Sequence, residues 1–467
     1  MPASNSRTPR LRTATLLSVT GITLLTSLAL AAPLTPAYAA DRPGHSAPAP
    51  DTTTERQVIT AIDQRAKPLR TTRPDAAATG DLTALARMTK GATVVGVGEA
   101  THGSRELFQL KDRLFRHLVQ GEGFRVFALE MSWSAGTRID AYVRTGEGDL
   151  RQLMREEFQG PYGDWNNEEF LALFSWMREH NTGAPADDQV RVMGNDIGDV
   201  HRSQYDRILT WAAENRPDLA PDLHRRYAGL LALPDSMQER MTTLSNAPLT
   251  ERRAYDADAK AAYQALESTG ATDPWVLQEA RMITQMTTMY TYDVYAPDQQ
   301  AAINLHRDRA MAENTVWWQR QTGDRVLASA HNAHLAYESP NPETHPVMEG
   351  AFLRDLIGDK YLAIGTSIHS GAYRAMNTAT GQYEVFDTGR AAPGSNEHTL
   401  DRARPRDYYV DLRTLTHHPK AGPWLATPRP TFVVPGSHPN EPAPVALSRS
   451  FDVLIHLHRV NASVPLP

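Results

Sequence analysis

Carboxylates and imidazoles recur in this chain directly after runs of apolar residues. Glu99 and His102 follow Val94-Val-Gly-Val97, and Glu130 follows Phe124–Leu129. Asn195 and Asp196 follow Val190–Met193, His331 and His334 follow Arg325–Ser329, and Ser367 and His369 follow Tyr361–Gly365. Two chemistries fit these residue types. In one, an imidazole supported by a carboxylate takes a proton from water, which suits a side chain whose ordinary pKa of about 6.5 lies near working pH. Here His102 is the base, Glu99 or Glu130 orients it, and His331 polarises or protonates the substrate. In the other, the same side chains hold a divalent metal that activates water. Glu99/His102 and His331/His334 have an i, i+3 spacing that metal sites use, yet neither is HExxH and both read as loop segments. A lone Glu99 would do no more than complement a helix N-terminus. The repetition at successive strand ends is what points to a site.

The elements that must position these groups read as alternating strands and helices. Val94–Val97 is a short buried strand, and Leu107, Leu110, Leu114 and Leu118 recur at helical spacing until Gly121 and Gly123. Residues 55–90 read as helical. Phe158–Trp165 reads as a loop. From 201 to 320 strand patterning vanishes and helical spacing dominates, which predicts a helical insertion or cap. Met282, Met286 and Met289 on one helix read as core. Strands resume at Arg325–Ser329, Tyr361–Gly365, Tyr408–Leu412, Pro430–Val434 and Phe451–Ile455. The pattern predicts an α/β fold with a mostly parallel central sheet flanked by helices. Parallel strands place their carboxyl ends on one edge, where such sheets bind ligands. The polar groups above would then meet in one cleft, with Tyr162, Trp165 and Trp176 as its apolar wall.

Composition narrows the function. The chain has 467 residues, a formal net charge of −6 and no cysteine. It therefore has no thiol nucleophile, no thiolate metal ligand and no disulfide. An acidic balance argues against nucleic acid as a partner. Gly365-Thr-Ser-Ile-His369 lacks the second glycine of GxSxG, which disfavours a serine hydrolase. Arg7, Arg10 and Arg12 precede an apolar stretch from about Ala14 to Ala32, and Ala37-Tyr38-Ala39 offers a cleavage site. Residues 1–40 are expected to be a signal peptide, 41–54 a flexible linker and 55–467 the catalytic domain. The mature chain would be secreted, free of the membrane, and would act on a small molecule. A metal-dependent hydrolase using the same cleft, or a secreted non-catalytic binder of an apolar ligand, are the alternatives.

Several segments carry a resemblance. They are Gly96-Val-Gly-Glu-Ala-Thr-His-Gly-Ser-Arg-Glu-Leu-Phe108, Gly123-Phe-Arg-Val-Phe-Ala-Leu-Glu130, Arg307-Asp-Arg-Ala-Met-Ala-Glu-Asn314 and Ala330-His-Asn-Ala-His-Leu335. In order and spacing they resemble the erythromycin esterase family, over roughly residues 93–460. The resemblance implies a hydrolase that opens a macrolide lactone with water and without a metal or other cofactor. His102 would be the general base and Glu99 its support, while Glu130 and His331 would line the site. His334 matches a second family histidine and is expected at the substrate, as are Lys111, Arg307 and Trp165. For Arg307 a surface role, with Asp308 and Glu313 as charge partners, stays open. The resistance esterases carry arginine nine residues after the turn histidine. Lys111 stands there instead, a point charge without the two-pronged reach of a guanidinium.

Overall fold

Val94–Val97 is buried at every position, because its two faces enter two different cores. Val94 packs with Val126, Ala128, Val326 and Ala363 on one side of the sheet. Val95 and Val97 pack with Leu107, Leu114, Phe127 and Leu129 on the other. This is the alternation a strand imposes, and only a strand covered on both faces needs apolar residues throughout. The computed structural model describes residues 52–434 and 436–467. The expected signal peptide, and the expected linker up to Asp51, lie outside them. The linker's end is corrected, since a helix begins at Thr52 and runs to Arg65.

The strands are β1 (Lys67–Pro68), β2 (Val94–Val97), β3 (Phe124–Ser132), β4 (Arg191–Asp196), β5 (Arg325–Ser329), β6 (Tyr361–Asn377), β7 (Gln382–Asp387), β8 (Tyr408–Asp411), β9 (Arg429–Thr431), β10 (Ser437–His438), β11 (Ala443–Val445) and β12 (Val453–Val460). The main sheet runs in the order β1-β8-β12-β6-β2-β5-β3-β4. From β12 to β4 every neighbour is parallel, while β8 and β1 close one edge antiparallel. The fold is the expected α/β type, mostly parallel and flanked by helices. The helix Arg105–Glu122 turns its leucines onto one face and ends where Gly123 takes a left-handed φ of 70°. On the other face lie the helices Arg202–Asn215, Ala220–Leu231, Leu249–Glu267, Pro274–Met289 and Gln300–Thr322. Met282, Met286 and Met289 are core there. Each such apolar side chain, fully buried, stabilises the fold by about 1.5–3 kcal/mol.

Several local readings need correction. Tyr361–Gly365 does not end at Gly365. The strand continues to Asn377, because its outer half pairs with β12, β7 and β10. Pro430–Val434 is not a strand of the main sheet. Arg429–Thr431 pairs only with Ala443–Val445 in a separate two-stranded sheet, where Pro430 and Pro444 face each other and neither must donate. Gly160–Trp165 is a 3-10 helix rather than a loop. Asn332–Leu335 is a helical turn, with the His331 side chain capping its start.

The turn after β2 is fixed by close approach. A Cβ on Gly103 would fall 1.8 Å from the carbonyl oxygen of Arg374 on β6. That carbonyl is backbone and cannot swing away. Gly103→Ala should therefore cost about 1–3 kcal/mol or more through overpacking. A thermal melt indistinguishable from that of the parent chain would contradict this close packing.

Candidate active site

Glu99 lies one residue past Gly98, at the carboxyl end of the central strand. The turn that follows is tied on three sides. Gly98 N–H donates to Ile364 O (2.8 Å), Asn332 N–H to Glu99 O (2.9 Å), and Val434 N–H to Ala100 O (2.9 Å). Glu99 is completely buried, and each carboxylate oxygen has a partner. His102 Nδ1 lies 2.7 Å from Oε1. Lys111 Nζ donates to Oε2, and also to Ser329 Oγ (3.0 Å) and Ala330 O (3.1 Å). With Nδ1–H directed at Glu99, His102 keeps Nε2 free to accept a proton. Burial alone would pull the His102 pKa down, but the Glu99 hydrogen bond and the charges of Glu130 and Glu99 outweigh it and raise it. His102 keeps 6% of its surface open, the most among His102, Glu99, Glu130 and His331.

His331 stands beside it, with ring centroids 5.1 Å apart. His331 Nδ1 accepts from Ala333 N–H (3.2 Å), which leaves the proton on Nε2, 3.4 Å from Ala100 O. Burial, then the neighbouring His102, hold its pKa well below the usual imidazole value, so it is neutral. The two histidines are adjacent yet electrically different.

Beneath them lies a buried ionic network. Strand β3 slips register between Leu129 and Ser132, so Glu130 and Met131 together face Asn195. Such a bulge re-aims a side chain. Glu130 Oε2 accepts from His331 N–H (3.0 Å), and Oε1 accepts from Arg307 Nη2 (2.9 Å) and lies 3.1 Å from His334 Nε2, which is also 3.2 Å from Arg307 Nη1. Arg307 also clamps Asp196 at 2.9 and 2.6 Å, and Tyr162 OH donates to Asp196 (3.0 Å). His334 Nδ1 meets Asp308 Oδ1 and His345 Nε2 meets Asp308 Oδ2, both at 2.9 Å. Burial opposes charge on His334, but Asp308 and Glu130 raise its pKa well above the usual value, making it a bridging cation. The same cations hold Glu130 well below the carboxylate range, although burial pushes it up.

Asp164 occupies the other side of His102. A Cβ on Gly436 would lie 3.2 Å from Asp164 Oδ2 and 3.6 Å from His102 Cδ2. Tyr383 OH approaches Oδ2 (3.4 Å), while Oδ1 is buried without a partner. Burial pushes the Asp164 pKa up to about 7, though His102 and Arg374 draw it down. Trp165 meets the His102 ring edge-on at 4.7 Å and donates Nε1–H to Glu130 O (2.8 Å).

Glu99, His102, Glu130, His331, His334, Arg307 and Trp165 thus lie in one connected cluster. Lys111 belongs to it from below, enclosed by Glu99, Ser329 and Ala330 rather than open to a ligand. Arg307 is buried in the network and not on a surface, and Glu313 pairs with Arg281 instead. Trp176 packs on Phe115 and under Arg116, away from the site. Ser367 and His369 sit farther along β6. Ser367 Oγ meets His456 Nδ1 (3.1 Å) and His369 faces Asp401 (3.5 Å). Sequence reading missed Asp164, Asp308 and His345. Asp164 had a signal, an acid set among Tyr162, Trp165 and Phe158. His345 had none.

Among the described residues one group has ligand atoms close enough for a metal, Asp308, His334 and His345. The atoms that would ligate are those now meeting in hydrogen bonds, and Glu349 N–H also donates to Asp308 Oδ2 (2.8 Å). The pairs suggested by spacing do not make up this group. His331 turns to His102 while His334 turns to Asp308, and Lys111 occupies Glu99. Because Lys111 answers a buried carboxylate, Lys111→Met should destabilise the fold by about 3–5 kcal/mol, read from chemical denaturation. A loss below about 1 kcal/mol would mean that water or another cation replaces it.

The sequence profile of the family described as Erythromycin esterase matches residues 119–460, which include Glu130, Arg307, His331 and His334 and begin after the His102 turn. The chain is similar to erythromycin esterase type II of Escherichia coli, 22% identical over 374 residues, 69% of this chain and 81% of that one. It is also similar to a crystal structure of a Bacillus cereus protein, with 28% identity, a TM-score of 0.79, and 88% and 99% of the two chains covered. A third similarity, to an erythromycin esterase mutant in its open conformation, has 15% identity, a TM-score of 0.66, and 85% and 97% coverage, and it concerns the fold alone. With the profile spanning most of its length, this chain belongs to the erythromycin esterase family, and membership points to a hydrolase.

Proposed function

We propose that the chain hydrolyses a carboxylic ester, in the first instance a lactone of polyketide type, with a water molecule activated by His102. The observation that carries this reading is the pairing of His102 Nδ1 with Glu99 Oε1 at 2.7 Å, which leaves Nε2 as the base beside a neutral His331. Water gives a proton to His102 Nε2 as its oxygen bonds to the carbonyl carbon. Negative charge develops on the carbonyl oxygen, and His331 Nε2–H, which bonds Ala100 O only loosely at 3.4 Å, is the donor that answers it. The C–O bond then breaks, and the leaving alkoxide takes the Asp164 proton. Transfer from imidazolium His102 to Asp164 restores both groups, and the product is heavier by one water. Glu99 and Lys111 hold His102, and Glu130 with Arg307 and His334 hold His331.

His102→Ala should leave a folded protein without esterase activity toward a panel of macrolides and simple lactones. Full activity in that variant would remove His102 from the mechanism. The two titrating groups set opposite limbs of kcat/KM. The base form of His102 appears as pH rises through its raised pKa, so the acidic limb lies above the ordinary imidazole value. The acid form of Asp164 is lost as pH rises through about 7, so activity falls on the alkaline side. Asp164→Asn should lower kcat by about 100-fold and abolish the alkaline limb. A pH profile unchanged in shape would exclude Asp164 as the acid.

A second reading rests on Asp308, His334 and His345, whose ligand atoms lie within 4.8 Å of one another. There a divalent cation would replace the hydrogen bonds and act as a Lewis acid. It predicts stoichiometric metal in purified protein and lost activity with chelator. Metal-free protein that turns over at the full rate excludes it. We also propose export, on the basic start, apolar stretch and Ala37-Tyr38-Ala39. N-terminal sequencing of protein from the medium should begin near Ala40, and a cytosolic, uncut chain would refute it.

A further inference from the structure

His369 and Asp401 mark a second concave site, which shares no residue with the cluster around His102. The outer half of β6, the loop after β7, the helix Asn396–Leu400, the turn before β8 and the end of β12 border a cavity of about 950 Å³ that opens to solvent. Four arginines line it, Arg390, Arg402, Arg406 and Arg459, against two carboxylates, Asp387 and Asp401.

Those carboxylates are already engaged. Asp401 Oδ1 accepts from His458 Nδ1 (2.6 Å) and lies 3.4 Å from His456 Nε2, and Oδ2 faces His369 Nε2 at 3.5 Å. Asp387 Oδ1 accepts from Gly389 N–H (2.7 Å). Arg402 pairs with Glu55 at 3.0 Å, outside the cavity lining. Among the described residues no carboxylate lies within ion-pair reach of Arg390, Arg406 or Arg459. The Arg406 Nη1 donates to His458 Nε2 (2.7 Å), which fixes the His458 tautomer and points its other nitrogen at Asp401. His369 stacks on His458, with centroids 5.6 Å apart and rings within 8° of parallel.

Arginines scattered over a convex surface need no ligand. Here three guanidinium groups without a carboxylate partner, from three separate chain segments, border one concavity, in a chain whose net charge is −6. The lining carries more guanidinium than carboxylate charge, and a concave wall with an excess of one sign focuses the potential within it. A guanidinium presents a planar fork that matches carboxylate and phosphate oxygens in pairs. A cavity of this size suits a small organic molecule rather than a single ion. We infer that this cavity is a second binding site, for a small organic anion carrying two or more oxyanion groups, set by Arg390, Arg406 and Arg459.

The test is calorimetric titration of the whole protein at low ionic strength with pyrophosphate and, separately, with citrate. At least one should bind saturably at one site. Binding of pyrophosphate alone assigns phosphate chemistry, and binding of citrate alone assigns carboxylate chemistry. Arg406→Ala with Arg459→Ala should weaken binding at least about tenfold, and Arg390→Ala alone should weaken it measurably. All three side chains are exposed, so the melting temperature should hold. His102→Ala should bind as the parent does, which separates this site from the catalytic reading. The inference is overturned if neither anion binds at concentrations up to about 10 mM, if the arginine variants bind unchanged, or if His102→Ala abolishes binding.

Discussion

A carboxylate with no exposed surface must be answered by charge or hydrogen bonds on every side, and Glu99 is such a group. It can sit at the end of β2 only because Lys111 reaches it from the helix behind and His102 meets it from the turn ahead. That requirement couples three elements. The helix must bring a lysine onto its apolar face, the turn must double back within three residues, and β5 must end where Ser329 and Ala330 complete the lysine's bonds. The His102 imidazole is oriented as a by-product of satisfying the buried carboxylate.

The same logic one strand over gives the opposite outcome for the second imidazole. Glu130 spends its oxygens on the His331 backbone, on Arg307 and on His334. It therefore fixes where His331 is without giving that ring a charge to pair with. Two rings about one ring-width apart are shifted to opposite sides of the ordinary imidazole pKa by where the carboxylates point. Asp164 adds a third setting, a carboxyl whose pKa burial pushes up to about 7. The different settings of these groups arise from ordinary side chains because each is buried among different neighbours.

Much of this was readable in the sequence. The strand order of polar ends brings Glu99, His102, Glu130, Asp196 and His331 together, because parallel strands deliver their ends to one edge. Reading failed where tertiary pairing overrode local pattern. His369 follows an apolar run like the others, but β6 does not stop there, since partners farther along the chain extend it. Lys111 looked like a hand toward a ligand, although its place among Leu107, Leu110 and Leu114 already put it on the buried face. Arg307 and Asp308 lie side by side on one helix yet face separate partners. No periodicity reveals that Asp308 meets His345, because the contact crosses an irregular loop.

The middle of the sheet also governs when the molecule can exist. Strand β2 has β5 on one side and β6 on the other, and Val94 lies beside Val326 and Tyr361. Both neighbours are made more than two hundred residues later. During synthesis the valines of β2 therefore wait with both edges unpaired, and so does the buried carboxylate that follows them. Such distant pairing slows folding and leaves a sticky edge open meanwhile. That segment stays exposed until the carboxyl-terminal third of the chain arrives to pair with it.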